Sequence, residues 1–396
     1  IHAAPPFPPR LVIIDLFLLH YLKEMISSPA AGLAAAFGLF MVASAHPIAT
    51  GDLHGEIRGV QAHRGGLGMR PESTLFAFGY ALEIGVDVLE MDTVFTKDGI
   101  PVIWHDHRIQ NDKCNDTVPG ANYVGKYIAN LTLAQVQVKW SSQRFNSVSN
   151  ASQTLDCGSQ QLPKHDQAEL HPRAKISTLE EVLDLIDCYG DKKVVLNLET
   201  KLDPEHANET LSVETYIDNI VPILQRRGYA DRTYIQSFDW RTIVGIKKKF
   251  PKTRTVALLD DTTVTPSGHL GYAWLGGIDV RDFAGDWVKA AHSIGATALS
   301  PVHGTPSSAS VNTPGYKPFT TTDVVNRAHE LGMMVIPWTV DDEVTIDKLF
   351  EPGKLLTYPS EIISNYPEKV IWIGRQRGVH LGLKRNPSKP QCFSRA

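Results

Sequence analysis

Glu90 and Asp92 stand two residues apart in the apolar run "VDVLEMDTVF" (86–95), and His105–Asp106 follows the next apolar stretch, "PVIW". Residues two apart on an extended strand point to the same side, so the two carboxylates share a face. Similar groupings recur. His63 and Arg64 end "GVQAHR" (59–64), and Glu199 with Lys201 ends "VVLNLETK". Three carboxylates brought together cannot all stay ionised without a cation, because like charges raise one another's pKa. An all-oxygen set suits a hard divalent ion, Ca2+ or Mg2+. His63 and His105 beside it would give a general base and a general acid that titrate near neutrality. Arg64 and Lys201 are cations suited to a phosphate. Together these groups point to phosphodiester cleavage. The competing reading pairs Glu90 and Asp92 with Arg64 and Lys201 in a structural ion network and makes His105–Asp106 a turn. Four segment ends carrying compatible chemistry favour a site. Trp338, in "PWTV", is a candidate pocket wall, and His303, in "SPVHG", is a further candidate at the mouth. His107, His165, His171, His292 and His380 read as surface or satisfied histidines.

Such a site needs a scaffold that brings strand ends together. From residue 58 onward short β-rich runs alternate with helical segments. Candidate strands are 59–64, 86–95, 101–105, 193–200, 232–238, 254–259, 276–280, 296–301, 333–340 and 354–359. Candidate helices include 74–85, 177–190, 213–228 and 321–332, each ending at glycine. Alternation of this kind predicts a parallel sheet with crossover helices. About eight units predict a closed (β/α)8 TIM barrel, an α/β fold whose functional groups gather at the C-terminal ends of the strands. An open doubly wound sheet is the alternative, but "HRGGLG" lacks the glycine spacing of a dinucleotide-binding turn. Residues 107–175 are polar and aperiodic, and read as an inserted loop-rich subdomain.

The 396 residues are 42% hydrophobic and 21% charged, with a formal net charge of −4, which predicts a soluble globular protein and argues against a nucleic-acid binder. Lys247–Lys249 read as the solvent face of a helix. Residues 1–45 form an N-terminal extension ahead of a barrel over 46–396. Within it, 25–45 is apolar and ends Ala43-Ser44-Ala45, the pattern of a signal peptide cleaved before His46. The apolar stretch is too short for a membrane span, so none is expected. Sequons at Asn115, Asn130, Asn150 and Asn208, three of them in the insertion, predict a secreted glycoprotein. The four cysteines lack the C-x-x-C spacing of a zinc site and predict one or two disulfides. Cys114–Cys157 would close the insertion, and the other pairings stay open.

The stretch "AHRGG…PESTLFAFGYALEIGVDVLEMDTVFTKDGIPVIWHD" (62–106) resembles the glycerophosphodiester phosphodiesterase family. Shorter matches follow in "LNLETK", "IQSFDW", "SP" (300–301) and "GMMVIPWTVDD". The resemblance implies a (β/α)8 barrel that hydrolyses small-molecule glycerophosphodiesters to glycerol 3-phosphate and an alcohol. It implies metal ligands at Glu90, Asp92 and Glu199, a histidine pair at His63 and His105, and phosphate contacts from Arg64 and Lys201. A glycerol hydroxyl beside the phosphate would attack, and water would open the resulting cyclic phosphate. Two positions depart from the family pattern: Ser73 stands for the usual Asn, and Thr-Asp-Tyr-Pro at the last strand reads Thr357-Tyr358-Pro359, without the acid. Two other functions fit the same residues. One is a lipid phosphodiesterase of the sphingomyelinase D kind that forms a cyclic phosphate, and the other is a non-catalytic barrel glycoprotein that binds phosphate.

Overall fold

The computed structural model describes residues 59–139, 152–159, 168–350 and 359–393. The signal peptide over 25–45, the Asn150 sequon and the 354–358 part of the last expected strand lie outside these residues.

Eight parallel strands run in chain order around a barrel: β1 (Gly59–Ala62), β2 (Val88–Phe95), β3 (Val195–Thr200), β4 (Thr233–Ser237), β5 (Arg254–Leu259), β6 (Ala298–Pro301), β7 (Met334–Val335) and β8 (Glu361–Ser364). β8 pairs with β1 from Gly59↔Glu361 to Ala62↔Ser364. The remaining seam is bridged by hydrogen bonds from Ser360 N to Val335 O and from Ile363 N to Pro337 O. A helix follows each strand: α1 (Leu75–Ile84), α2 (Leu179–Tyr189), α3 (Val213–Arg226), α4 (Trp240–Lys249), α5 (Trp287–Ser293), α6 (Thr322–Glu330), α7 (Glu343–Leu349) and α8 (Pro367–Gln376). This is the expected (β/α)8 fold.

Local chemistry sets the boundaries. α1 opens on Thr74, whose hydroxyl accepts from Ala77 N, and α2 on a reciprocal Thr178–Glu181 capping box. α4, α5 and α7 open on Asp239, Asp286 and Asp342 in the same role. Outward residues of β2 and β3, Leu89, Met91, Leu196 and Leu198, pack beneath the helices. Half of the barrel interior is apolar, built from Tyr234, Val256, Ala298, Ile336 and Ile363. The other half is polar, and there the functional residues stand.

The insertion has its own core. Ile109, Ile128, Leu131, Val136 and Leu155 pack with Val94, Val102 and Trp104 around the Cys114–Cys157 disulfide. A second disulfide, Cys188–Cys392, ties the end of α2 to the C-terminal segment.

Three expectations need correction. Pro101–Ile103 is not a barrel strand; it folds back antiparallel on β2, with Thr93 opposite Ile103. Residues 276–280 form no strand, and a 3-10 turn begins at Val280. The last strand is Glu361–Ser364, later than the expected 354–359, and Asn365 follows it directly.

Glu361 is a buried carboxyl at the start of β8, and burial raises its pKa to about 7 despite the Gln61 amide that donates to it at 2.5 Å. The unfolded chain releases this proton near the ordinary value of 4.5, so stability falls as pH rises from there to about 7. Glu361→Gln removes that loss. Thermal melts are expected to show a flatter pH dependence and a variant more stable than wild type above pH 7, by roughly 3 kcal/mol.

Candidate active site

The turn after β1 begins the site. His63–Gly65 forms one 3-10 turn in which Arg64 has left-handed backbone angles, φ 51 and ψ 33. For a non-glycine residue this conformation is strained and is commonly found at functional sites. Gly65 continues the turn at φ 83, where a Cβ would meet that of Ala77 at 2.7 Å. The outcome is that the Arg64 backbone N–H points into the barrel and donates to Glu90 Oε2 at 2.8 Å.

Sheet register brings the carboxylates together. Asp92 on β2 lies opposite Glu199 on β3, which lies opposite Gln236 on β4. Glu90, Asp92 and Glu199 are 2%, 1% and 6% exposed. Each offers an oxygen within 4.8 Å of the others. Burial, then the Asp92 charge, pushes the Glu90 pKa well up, and burial holds Glu199 at about 7. Burial also works against Asp92, but His105, Lys201 and Arg64 outweigh it and keep that carboxyl below the usual range. Lys201 Nζ lies 2.8 Å from Glu199 Oε1 and 3.8 Å from Asp92, while Arg64 Nε is 3.4 Å from Asp92. The ion network of the competing reading therefore exists. It does not satisfy the site, because both Asp92 carboxylate oxygens are buried without a hydrogen bond. Three buried carboxylates with two orphaned oxygens fit a hard divalent cation.

Both histidines are held through Nδ1. His63 Nδ1 meets Asn365 Oδ1 at 2.5 Å, and the Asn365 amide donates in turn to Asp341 Oδ2 at 2.5 Å. Since Asn365 Oδ1 can only accept, His63 carries its proton on Nδ1 and leaves Nε2 unprotonated. His105 Nδ1 meets Asp106 Oδ1 at 3.0 Å, and its Nε2 lies 3.2 Å from Lys201 Nζ. Burial and then the Arg64 charge push His63 down to about 3. Burial and then Lys201 lower His105 as well. Burial thus disfavours the protonated form of both imidazoles.

The structure assembles every proposed site residue at one end of the barrel. Trp338 packs edge-on against Phe238, with ring centroids 5.4 Å apart, and its Nε1 donates to Ser300 O. The adjoining cleft holds about 310 Å³ and runs from His105, Glu199 and Lys201 to Phe238, Asp260 and Trp274. His107, read from sequence as a bystander, lines this cleft and pairs with Glu209. His303 is bound instead to Tyr316 and Ser307 O.

Other members went unnoticed in the sequence. Lys113 from the insertion bridges Glu72 and Asp106, and Glu72 also grips Arg64. Beneath the carboxylates runs a ladder of amides. Asn197 donates to Gln61 and Gln236, and Gln236 donates to Glu90 Oε1 at 2.8 Å. A period-two signal was available: Gln61, Asn197 and Gln236 each precede a residue of the site or cleft by two, namely His63, Glu199 and Phe238.

Barrel and site define an enzyme whose chemistry is phosphodiester hydrolysis. A family model, the glycerophosphoryl diester phosphodiesterase family, matches residues 63–354. The chain belongs to this family, and with it to the phosphoric diester hydrolases. A glycerophosphodiester phosphodiesterase of Caldanaerobacter subterraneus is 24% identical over 319 residues, covering 81% of this chain and 98% of the relative. A second, from Bacillus subtilis, is 24% identical over 320 residues, 78% of this chain and 83% of the relative. Among solved structures, an Oleispira antarctica phosphodiesterase in complex with the product sn-glycerol-3-phosphate has a TM-score of 0.53 at 21% identity, and the match covers 80% of this chain and 96% of that one.

If the amide ladder orients Glu90 as a ligand, its loss should be felt at the metal. Gln236→Leu is expected to weaken Mg2+ or Ca2+ binding by about 10- to 100-fold in titration calorimetry, with the circular dichroism spectrum unchanged.

Proposed function

We propose that this chain is a divalent-metal-dependent glycerophosphodiester phosphodiesterase that releases glycerol 3-phosphate and an alcohol, with His63 and His105 as its proton carriers. The observation that carries the reading is the convergence of Glu90, Asp92 and Glu199 with two Nδ1-anchored histidines and the cations Arg64 and Lys201. The product bound to the Oleispira antarctica phosphodiesterase supports the substrate class.

Glu90, Asp92 and Glu199 would hold the cation, Ca2+ or Mg2+, which when bound supplies positive charge for the phosphate oxygens. Arg64 and Lys201 place two more positive charges at the same spot, where charge accumulates as phosphorus becomes five-coordinate. One histidine Nε2 accepts the proton of the glycerol hydroxyl beside the phosphate as its oxygen bonds to phosphorus. The other histidine, protonated as the negatively charged phosphate arrives beside it, donates that proton to the departing alcohol oxygen. Water then opens the cyclic phosphate with the two roles exchanged.

The test is glycerol 3-phosphate release from glycerophosphocholine, before and after chelation, by wild type, His63→Ala and His105→Ala. Activity should vanish with chelator, return with Ca2+ or Mg2+, and fall about 10²- to 10⁴-fold in each variant. Undiminished variants, or a choline lipid cut to a cyclic phosphate as the end product, would replace this mechanism.

The chain acts outside the cytosol, led there by residues 25–45. Two disulfides support an oxidising compartment. The sequon residues Asn115, Asn130 and Asn208 are exposed, as glycan acceptors must be. Among the described residues no helix is long and apolar enough to cross a membrane. Expression of the full chain in cultured eukaryotic cells should deliver it to the medium, with a gel mobility that increases after enzymatic deglycosylation. Retention in the cytosol without glycan would refute the assignment.

A further inference from the structure

Which alcohol this phosphodiesterase accepts is a separate question, and its answer rests on the activity proposed above. We infer that the far end of the cleft is a subsite for a cationic head group, a quaternary or primary ammonium, formed by Phe238, Trp274 and Asp260. The cleft is electrically polarised. At the phosphate end the carboxylates are matched by cations: Glu72 by Arg64 and Lys113, Asp106 by Lys113, and Glu199 by Lys201. At the far end Asp260 forms no ion pair with any described residue. Its Oδ1 accepts from Thr262 N, Thr262 Oγ1 and Thr263 N at 2.9, 2.7 and 2.9 Å, while Oδ2 has no hydrogen-bond partner among the described residues.

Two aromatic rings line the cleft there, and Phe238 reaches back toward the phosphate end, with Lys201 Nζ 5.9 Å from its ring centroid. Phe238 and Trp274 meet at 83° with centroids 6.4 Å apart, so they form two walls of a corner. Trp338 braces Phe238 from another direction. Trp274 Nε1 donates to Glu205 Oε1 at 3.0 Å, which orients the indole and sets a second carboxylate beside it. Aromatic rings beside an unpaired carboxylate attract an ammonium group, methylated or not.

A polyol head group could donate to Asp260 Oδ2, but it gains nothing from the ring faces and would need further hydroxyl or amide partners. Those of this wall are engaged: Thr262 Oγ1 donates to Asp260 Oδ1, and Thr263 Oγ1 accepts from Asp260 N and donates to Asp260 O. A diester with a negative phosphate and a positive head group matches both ends of the cleft. A diester with an uncharged head group matches only one.

The experiment compares kcat/KM of the metal-loaded full chain on glycerophosphocholine, glycerophosphoethanolamine, glycerophosphoglycerol and glycerophosphoinositol. Wild type, Asp260→Asn and Trp274→Ala are followed by glycerol 3-phosphate release. Wild type is expected to favour the two substrates with ammonium head groups by about tenfold, mainly through KM, and both variants should bring that ratio close to one. Equal efficiencies on all four substrates, or a ratio unchanged by either substitution, would overturn the subsite and leave the phosphodiesterase reading standing. Failure to release glycerol 3-phosphate from any of the four would overturn that reading instead. The subsite is then judged by calorimetry with tetramethylammonium alone. Binding that is lost in Asp260→Asn supports it, and no binding by wild type overturns it.

Discussion

Three carboxylates forced together inside a barrel are the constraint on which the rest of this structure depends. Parallel pairing of β2 with β3 sets Asp92 beside Glu199, and strand periodicity puts Glu90 on the same face. Once the sheet is formed, the charges cannot separate. Lys201 and Arg64 offset part of the repulsion, yet Asp92 keeps two buried oxygens without hydrogen bonds. Half of the interior has to be polar in response. The amides of Gln61, Asn197 and Gln236 occupy positions that Val, Ile or Leu would fill in an inert barrel, and they link Glu361 at one end to Glu90 at the other. A carboxyl as buried as Glu361 is one consequence. A core with fewer apolar contacts is another.

The insertion belongs to this arrangement and is more than a decoration of it. Lys113 precedes a half-cystine and ties Glu72 to Asp106. Glu72 in turn holds the Arg64 guanidinium, and Asp106 holds the His105 ring. Removing Lys113 would leave Glu72 with Arg64 alone and Asp106 with only the His105 imidazole. The Cys114–Cys157 bond spans 43 residues and restricts the segment that carries Lys113. Covalent closure of a polar, loop-rich segment thus serves the geometry of a site on the barrel itself.

What could be read from sequence follows from which residues violate expectation locally. Glu90 and Asp92 inside an apolar strand are conspicuous, because core positions seldom carry acids, and the alternation of strands and helices was plain enough to give the barrel. β8 was displaced because "EIIS" is short and opens with a charged residue, while the nearby "KLLTYP" is the more apolar run. "PVI" has the composition of a barrel strand, and only its antiparallel pairing with β2 distinguishes it. Lys113 with Glu72, Asn365 with His63, and the disulfide partner of Cys188 are contacts across 41, 302 and 204 residues, which no local pattern records. His107 carries no local signal for the same reason, since its partner Glu209 comes from the loop after β3.

Asn365, at the end of β8, separates geometry from charge. An acid at position 365 would both orient His63 and stabilise its protonated form. The amide of Asn365 does only the first, since its carbonyl accepts the Nδ1 proton without bringing a negative charge. Asp341 lies one hydrogen bond further out, receiving the Asn365 side-chain amide, the Asn365 backbone N–H and the Ser364 hydroxyl. The carboxylate therefore fixes the orienting group and leaves the imidazole itself beside a neutral partner. His105, by contrast, rests directly on the carboxylate of Asp106. The two histidines are both held through Nδ1 but differ in the charge of the group that holds them, a neutral amide for His63 and a carboxylate for His105, so His105 is the one whose protonated form its partner stabilises.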